Sequence, residues 1–224
     1  MLLALVLAGC ASAPIQKSSS DLFPPPSAGI AIPNDMQLDK LVAEFSKVTG
    51  ITAIADTQTK TLLQAPTGLN RAVEVPAGEV YSFVESVLVQ NELYFTVLHE
   101  REPRLFAIHG RSAPHGLREM PFVVASKDIA SMGQHPAILI MTTLELAHTD
   151  VRTLSNSMRT MFTDANTQQI IPVGNSNQLI LTGFGGTVAS IARMLQEADE
   201  SAKRAEESVP HPAAQPPPRE EKPK

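Results

Sequence analysis

Few residues in this chain are of a type and spacing that could do chemistry. The single cysteine, Cys10, follows Leu7-Ala8-Gly9 and closes an apolar run that starts at Leu2. The composition then turns polar at Ser12, Gln16, Lys17 and Ser18 to Ser20. An apolar run ending in small residues is how an export signal presents itself to its peptidase. As a helix that run reaches only ~12 Å, well short of the ~30 Å hydrocarbon core, so it is no stable membrane span. No other segment approaches ~18 consecutive apolar residues, so any membrane attachment must be by lipid. One cysteine cannot form an internal disulfide, which permits an oxidising compartment without requiring one.

The remaining candidates point away from catalysis. His99, His109, His115, His135, His148 and His211 form no HxxxH or HExxH pair, so spacing predicts no zinc site. His99 and His109 are the two that a hairpin would set face to face. No G-x-S-x-G elbow accompanies the many serines. Gly183-Phe184-Gly185-Gly186 has the letters of a phosphate-cradling loop. It lacks the third glycine of a dinucleotide fingerprint and the Lys-Ser/Thr of a P-loop. It also matches the GXXG of KH domains, but there the loop joins two helices and here a strand precedes it. No Lys or Arg lies between Arg159 and Arg193, so the expected role is a strand-to-helix turn needing permissive glycines. Glu44, Glu79 and Glu85 are read as solvated on polar helix faces. The chain is therefore expected not to be an enzyme, with no catalytic, cofactor-binding or metal residues and no cofactor.

The Leu7-Ala8-Gly9-Cys10 run resembles the lipobox of bacterial lipoproteins. The resemblance implies that the Cys10 thiol is alkylated by a diacylglycerol, with palmitate as a label, and that residues 1–9 are removed. It implies an outer-membrane destination, because Ala11 stands where an Asp would retain the protein in the inner membrane. One departure is that only the Met1 amine precedes the apolar core.

A net charge of −5 disfavours nucleic acid, whose binders cluster Lys and Arg. Aromatics are 4% and tryptophan is absent, so the cores must be aliphatic. Residues 10–28 read as a disordered tether, Ser-rich and then closed by Pro24-Pro25-Pro26, and ~3.1 Å per residue lets it hold a folded body clear of a membrane. Residues 203–224 combine alternating charge with proline and have almost nothing apolar to bury, so they are expected to form a disordered tail.

Two blocks lie between. In residues 29–110, Leu38, Leu41, Val42, Phe45 and Val48 predict a helix capped by Asn34 or Asp35 and ended by Gly50. Strands are predicted at Ile51–Asp56 and Ala72–Val75, with a leading one at Gly29–Ile32. A helix over Glu79–Asn91 carries Val80, Val84, Val87 and Leu88, followed by strands at Leu93–Leu98 and Arg104–His109. Residues 111–135 read as connector, with a short strand at Phe122–Ala125. In residues 136–202, Ile140, Thr142, Leu144 and Leu146 share one face of a strand. Val151, Leu154, Met158, Met161 and Phe162 predict a helix capped by Thr149 or Asp150. Gln169–Val173 and Gln178–Thr182 pair through Gly174-Asn175-Ser176-Asn177, and a last helix with Val188, Ile191, Ala192 and Leu195 runs to about Ala202. The expected second core is Leu144, Leu146, Leu154, Met158, Ile171, Ile180, Ile191 and Leu195.

The run Asn177-Gln178-Leu179-Ile180-Leu181-Thr182-Gly183, with Val188, Ile191, Leu195 and Asp199 beyond it, resembles the periplasmic N-domains of secretins. These are the outer-membrane channels of type II secretion and type IV pili. Leu146, the helix from Val151 and Ile170-Ile171-Pro172 match the same order. The first block is similar to the domain that precedes it in secretins, related to the short N-terminal domain of some TonB-dependent transporters. The fold expected is α+β, two small domains, the second a KH-like βαββα unit. The resemblance implies a non-catalytic envelope lipoprotein facing the periplasm. It would bind secretion or pilus machine proteins, with possible self-association into rings and no nucleic acid. Which residues would contact such partners is not read from the sequence. Secretins continue into a β-rich pore domain where this chain has its Pro-rich tail, so a channel in its own right is not expected. The alternative is a soluble ligand- or nucleic-acid-binding KH-like protein whose N-terminus is no signal.

Overall fold

The computed structural model describes residues 22–111, 120–158, 168–174 and 176–208. Cys10, His115, His211, Met161, Phe162, most of the tether and the last residues of the tail lie outside them. The fold is α+β. Helix α1 (Leu38–Thr49) buries the predicted stripe Leu38, Leu41, Val42, Phe45 and Val48. It ends at Gly50, whose φ of 71° is the left-handed C-cap conformation that glycine adopts freely. Neither Asn34 nor Asp35 caps its start. Gln37 holds that position without a side-chain bond, because Leu38 N–H and Asp39 N–H donate to the carbonyls of Ala65 and Leu63 at 3.0 and 2.8 Å. Neighbouring backbone satisfies the orphan donors that a cap would have taken.

Strand β1 (Ile30–Ile32) pairs antiparallel with β3 (Val73–Val75). A second sheet has the order β2 (Thr52–Ala55), β5 (Leu105–Gly110), β4 (Leu93–His99), with β2 parallel and β4 antiparallel to β5. Between β2 and β3 lies a helix the periodicity did not reveal, α2 (Thr57–Leu62). Asp56, read as the end of a strand, is its N-cap, accepting from Thr59 N–H at 2.7 Å. With one buried residue, α2 has no apolar stripe to announce it. Helix α3 (Val80–Gln90) packs on β4 and on α1.

The second unit is a four-stranded sheet in the order β6 (Phe122–Val123), β7 (Leu139–Glu145), β9 (Gln178–Phe184), β8 (Gln169–Pro172). With α4 (Val151–Met158) and α5 (Gly185–Ser208), β7, β8 and β9 give the βαββα order. Ile140, Thr142, Leu144 and Leu146 are buried on one face, as their alternation predicts. The partner strands present the opposite set from that expected. Ile171 is 46% exposed and Ile180 only half-buried, whereas Ile170, Leu179 and Leu181 are buried. The register explains it, since Thr142 lies opposite Leu181 and Leu144 opposite Leu179. A strand alternates with period 2, so a one-residue misplacement exchanges its faces.

Two segments exceed their sequence reading. Within the presumed connector, Ser126–Gln134 is a 3₁₀ helix that packs on α5 through buried Ile129 and Met132. Their spacing of three matches a 3₁₀ turn and is too short to register as an α-helical stripe. Helix α5 runs to Ser208 rather than about Ala202, its last turns built from good helix formers with a Lys203–Glu207 pair at 4.0 Å.

The two units meet closely. Phe95 of β4 forms a parallel bridge with Ile138, and its N–H donates to Ala137 O at 2.8 Å. Tyr94, Leu139 and Phe184 form a small buried cluster beside it. The main buried apolar cluster runs from Leu22 to Leu195 without a break between the units.

Candidate binding faces and the buried junction

The histidines are dispersed. His99 lies opposite Leu105 and His109 opposite Tyr94, so the two sit at different ends of the β4–β5 hairpin rather than face to face. His99 Nδ1 donates to the carbonyls of Arg101 and Pro103 at 2.8 and 3.1 Å, closing the turn. His109 Nε2 lies 2.8 Å from Thr96 Oγ1. His148 Nδ1 lies 2.9 Å from Glu206 Oε2. Among the described residues no three His, Cys, Asp or Glu side chains gather as a metal would need.

Gly183-Phe184-Gly185-Gly186 contains no loop at all. Strand β9 ends at Phe184 and α5 begins at Gly185. A Cβ on Gly185 would meet the carbonyl oxygens of His135 and Met132 at 2.5 and 2.7 Å. The glycine is required by this close backbone approach rather than by an unusual φ. Gly185 N–H is itself bound to Ile138 O at 2.9 Å.

Asp199, whose spacing formed part of the resemblance, sits on α5 beneath the turn after β7. Its carboxylate accepts from Ala147 N–H at 3.0 Å, His148 N–H at 2.8 Å and Thr149 Oγ1 at 2.8 Å. Desolvation alone would raise this carboxyl, but the three hydrogen bonds outweigh it and hold the group below the usual carboxylate range. Asp150 caps α4 as expected, accepting from Thr153 Oγ1 at 2.7 Å and Arg152 N–H at 3.0 Å, and these bonds lower its carboxyl too.

Glu85 is not solvated. Its side chain is fully buried, with Oε1 2.9 Å from His135 Nδ1 and Oε2 accepting from Ala137 N–H at 3.0 Å. Burial drives its carboxyl upward, against the opposing pull of His135 and the Ala137 amide. The Phe23 ring stacks on the His135 imidazole with centroids 3.6 Å apart, and Tyr81 meets that imidazole edge-on at 5.1 Å. Tyr81 O–H donates to Pro24 O at 2.8 Å, so the segment read as the end of a tether is clasped onto the junction. A signal for this existed: Tyr81, Val84, Glu85 and Leu88 follow i, i+3, i+4, i+7, which puts Glu85 on the buried stripe.

Two faces of the described residues expose apolar side chains. Among those residues the outer face of the β6-β7-β9-β8 sheet is covered at its Leu139–Phe184 end, by Tyr94 and the Arg111 guanidinium 5.5 Å from the Phe184 ring. Further along it are Val123, 65% exposed, Ile171 at 46%, and half-buried Met141 and Ile180. The short strand β8 ends the sheet, with no further strand paired to it among the described residues. On the first unit an open groove of about 590 Å³ between β3 and α3 is lined by Leu69, Val73, Val75, Pro76, Phe83 and Val87.

No protein-family profile matches the sequence, and no curated protein does. Solved structures similar to this chain are secretin N-terminal domains from type II secretion systems. A chain of the Klebsiella pneumoniae outer membrane complex of PulD, PulS and the PulC HR domain is 16% identical, with a TM-score of 0.47. The match covers 74% of this chain and 26% of that one, so the present chain spans about a quarter of its length. The N-terminal domain of the secretin XcpQ from Pseudomonas aeruginosa is 17% identical, over 80% of this chain and 67% of that one, with a TM-score of 0.26. The GspC–GspD complex of enterotoxigenic Escherichia coli matches at 12% identity over 77% and 99%, with a TM-score of 0.29.

Proposed function

We propose that this protein is a non-catalytic envelope lipoprotein, tethered through Cys10, whose α+β body binds protein subunits of a secretion or type IV pilus apparatus from the periplasmic side of the outer membrane. The observation that carries the reading is the outer face of the second sheet. Ile171 stands exposed there on β8, which ends the sheet on one side, and Val123 on β6, which ends it on the other. Such a face accepts a protein partner by apolar contact or strand pairing. The Asn177–Gly183 run that resembles secretin N-domains supplies one strand of this face. The lipobox-like Leu7–Cys10 run and the tether behind it supply the location. No described helix is long and apolar enough to cross a membrane.

The division into a lipidated tether, a first unit over 29–110 and a second unit that takes β6 and the 3₁₀ helix from the expected connector and runs to Ser208 belongs to the same proposal. Labelling with palmitate tests the anchor: label should enter the wild type and be lost in Cys10→Ser, and label that persists would refute it. A crosslinking pull-down from intact envelopes tests the partner class. The solved structures of PulD with PulS and the PulC HR domain, and of GspD with GspC, make secretins and proteins like PulC and GspC the first subunits to look for. Recovery of secretin, pilus or inner-membrane platform subunits supports the reading, and co-purification with RNA overturns it.

A further inference from the structure

We propose that Glu85 and His135 form a proton-operated latch that fixes the two units in one orientation, with Phe23 as its cover. The pair joins different parts of the molecule: Glu85 lies mid-helix in α3, and His135 and Ala137 lie on the segment leading into β7. The core here, aliphatic by expectation, includes the buried rings of Phe45, Phe95 and Phe106, and such an apolar core has no need of a carboxylate at this point. A hydrogen-bonded polar pair, unlike an apolar contact, is satisfied in a single arrangement. Here that arrangement is tied to the strand bridge. Glu85 Oε2 takes the Ala137 N–H, while the Ala137 carbonyl takes the N–H of Phe95. One carboxylate thus positions the peptide that connects the sheets.

The proton enters through the charge state of the pair. With one shared proton, as carboxylate and imidazolium or as carboxylic acid and imidazole, no net charge is buried. Loss of that proton leaves an uncompensated carboxylate under Phe23, and burying such a charge is costly unless the structure opens to water. Few other groups can compensate. Tyr81 faces the pair from α3, and burial together with the Glu85 charge pushes its hydroxyl up, so it stays neutral. Arg104, at the start of β5, is ion-paired with Glu102 and acts on Tyr81. The cover contributes Leu22, Phe23 and Pro24, none of them ionisable. The sign follows from the raised Glu85 carboxyl. Opened to water, the pair holds two protons below about pH 4.3, one from there to about pH 6.5 and none above, as an ordinary carboxyl and imidazole do. Closed, burial makes the last proton harder to lose, so closure is favoured in full between those two values and the advantage is lost as pH rises from about 6.5 to the folded value.

Amide hydrogen exchange at Ala137 and Phe95 in the full chain tests the latch, each rate divided by its intrinsic rate at that pH. Protection should hold between about pH 4.3 and 6.5, fall by up to about tenfold per pH unit above about 6.5, then level off beyond the folded value. In Glu85→Gln, which keeps the size without the charge, the fall in protection above about pH 6.5 should be absent. A flat profile in the wild type, or the same slope in Glu85→Gln, would overturn the proposal. Should that variant fail to fold, Phe23→Ala decides. Letting water reach the pair should move the levelling-off to lower pH, and an unchanged profile would overturn the latch.

Discussion

Single residues here do structural work that their type does not advertise. Thr142 sits in the second core with its hydroxyl buried and unpartnered among the described residues. Thr142→Val removes that orphan at nearly equal volume, so it should raise unfolding free energy by about 1 kcal/mol in denaturant titration. Asp199 works in the opposite sense, tying the β7–α4 turn to α5. Its lowered carboxyl contributes stability that is present above the ordinary Asp value of about 3.9 and is lost as pH falls through the lower folded value. Asp199→Asn should lower the melting temperature at pH 7 and leave a shallower loss on acidification. A melting profile that matches the wild type from about pH 2.5 to pH 7 would contradict this role. Asp199 was legible through its spacing. Glu85 was not, because a glutamate on an apolar helix reads as belonging to the wet side until Tyr81, Val84 and Leu88 are counted with it. Its partner His135 is fifty residues away in sequence, and nothing local announces the pairing.

At the scale of elements, periodicity recovered most long helices and strands because one face of each is apolar. Helix α2 and the 3₁₀ helix Ser126–Gln134 escaped for the converse reason, being held by a cap and by two buried side chains. Register was the harder matter. The run Ile170-Ile171 offers two equally apolar neighbours, and only pairing with β9 decides which goes inside. Paired substitutions check the observed choice by chemical denaturation. Leu179→Ala should cost about 2–5 kcal/mol, whereas Ile171→Ala should cost less than about 1. Equal losses would mean that both strand faces are packed. The same choice that buries Leu179 leaves Ile171 on the outer surface, so the register also creates the proposed binding face.

For the whole molecule, the α+β class and the βαββα order of the second unit were readable from the sequence, since they depend on the order of apolar stripes. The junction was not. It is assembled from Phe23, Glu85, Phe95, His135 and Ala137, residues brought together only by the tertiary fold. Its consequence is that Leu22–Pro24 are held at the junction between the units, while Val123 and Ile171 stay exposed on the outer face of the second sheet. The most direct measurement of that face's role is a photo-crosslinker placed at Ile171 in intact cells, with one at exposed Glu200 on α5 as the control. The account predicts a discrete adduct with a secretion or pilus subunit from Ile171 and none from Glu200. Equal capture at both positions, or no protein adduct from Ile171, would contradict it.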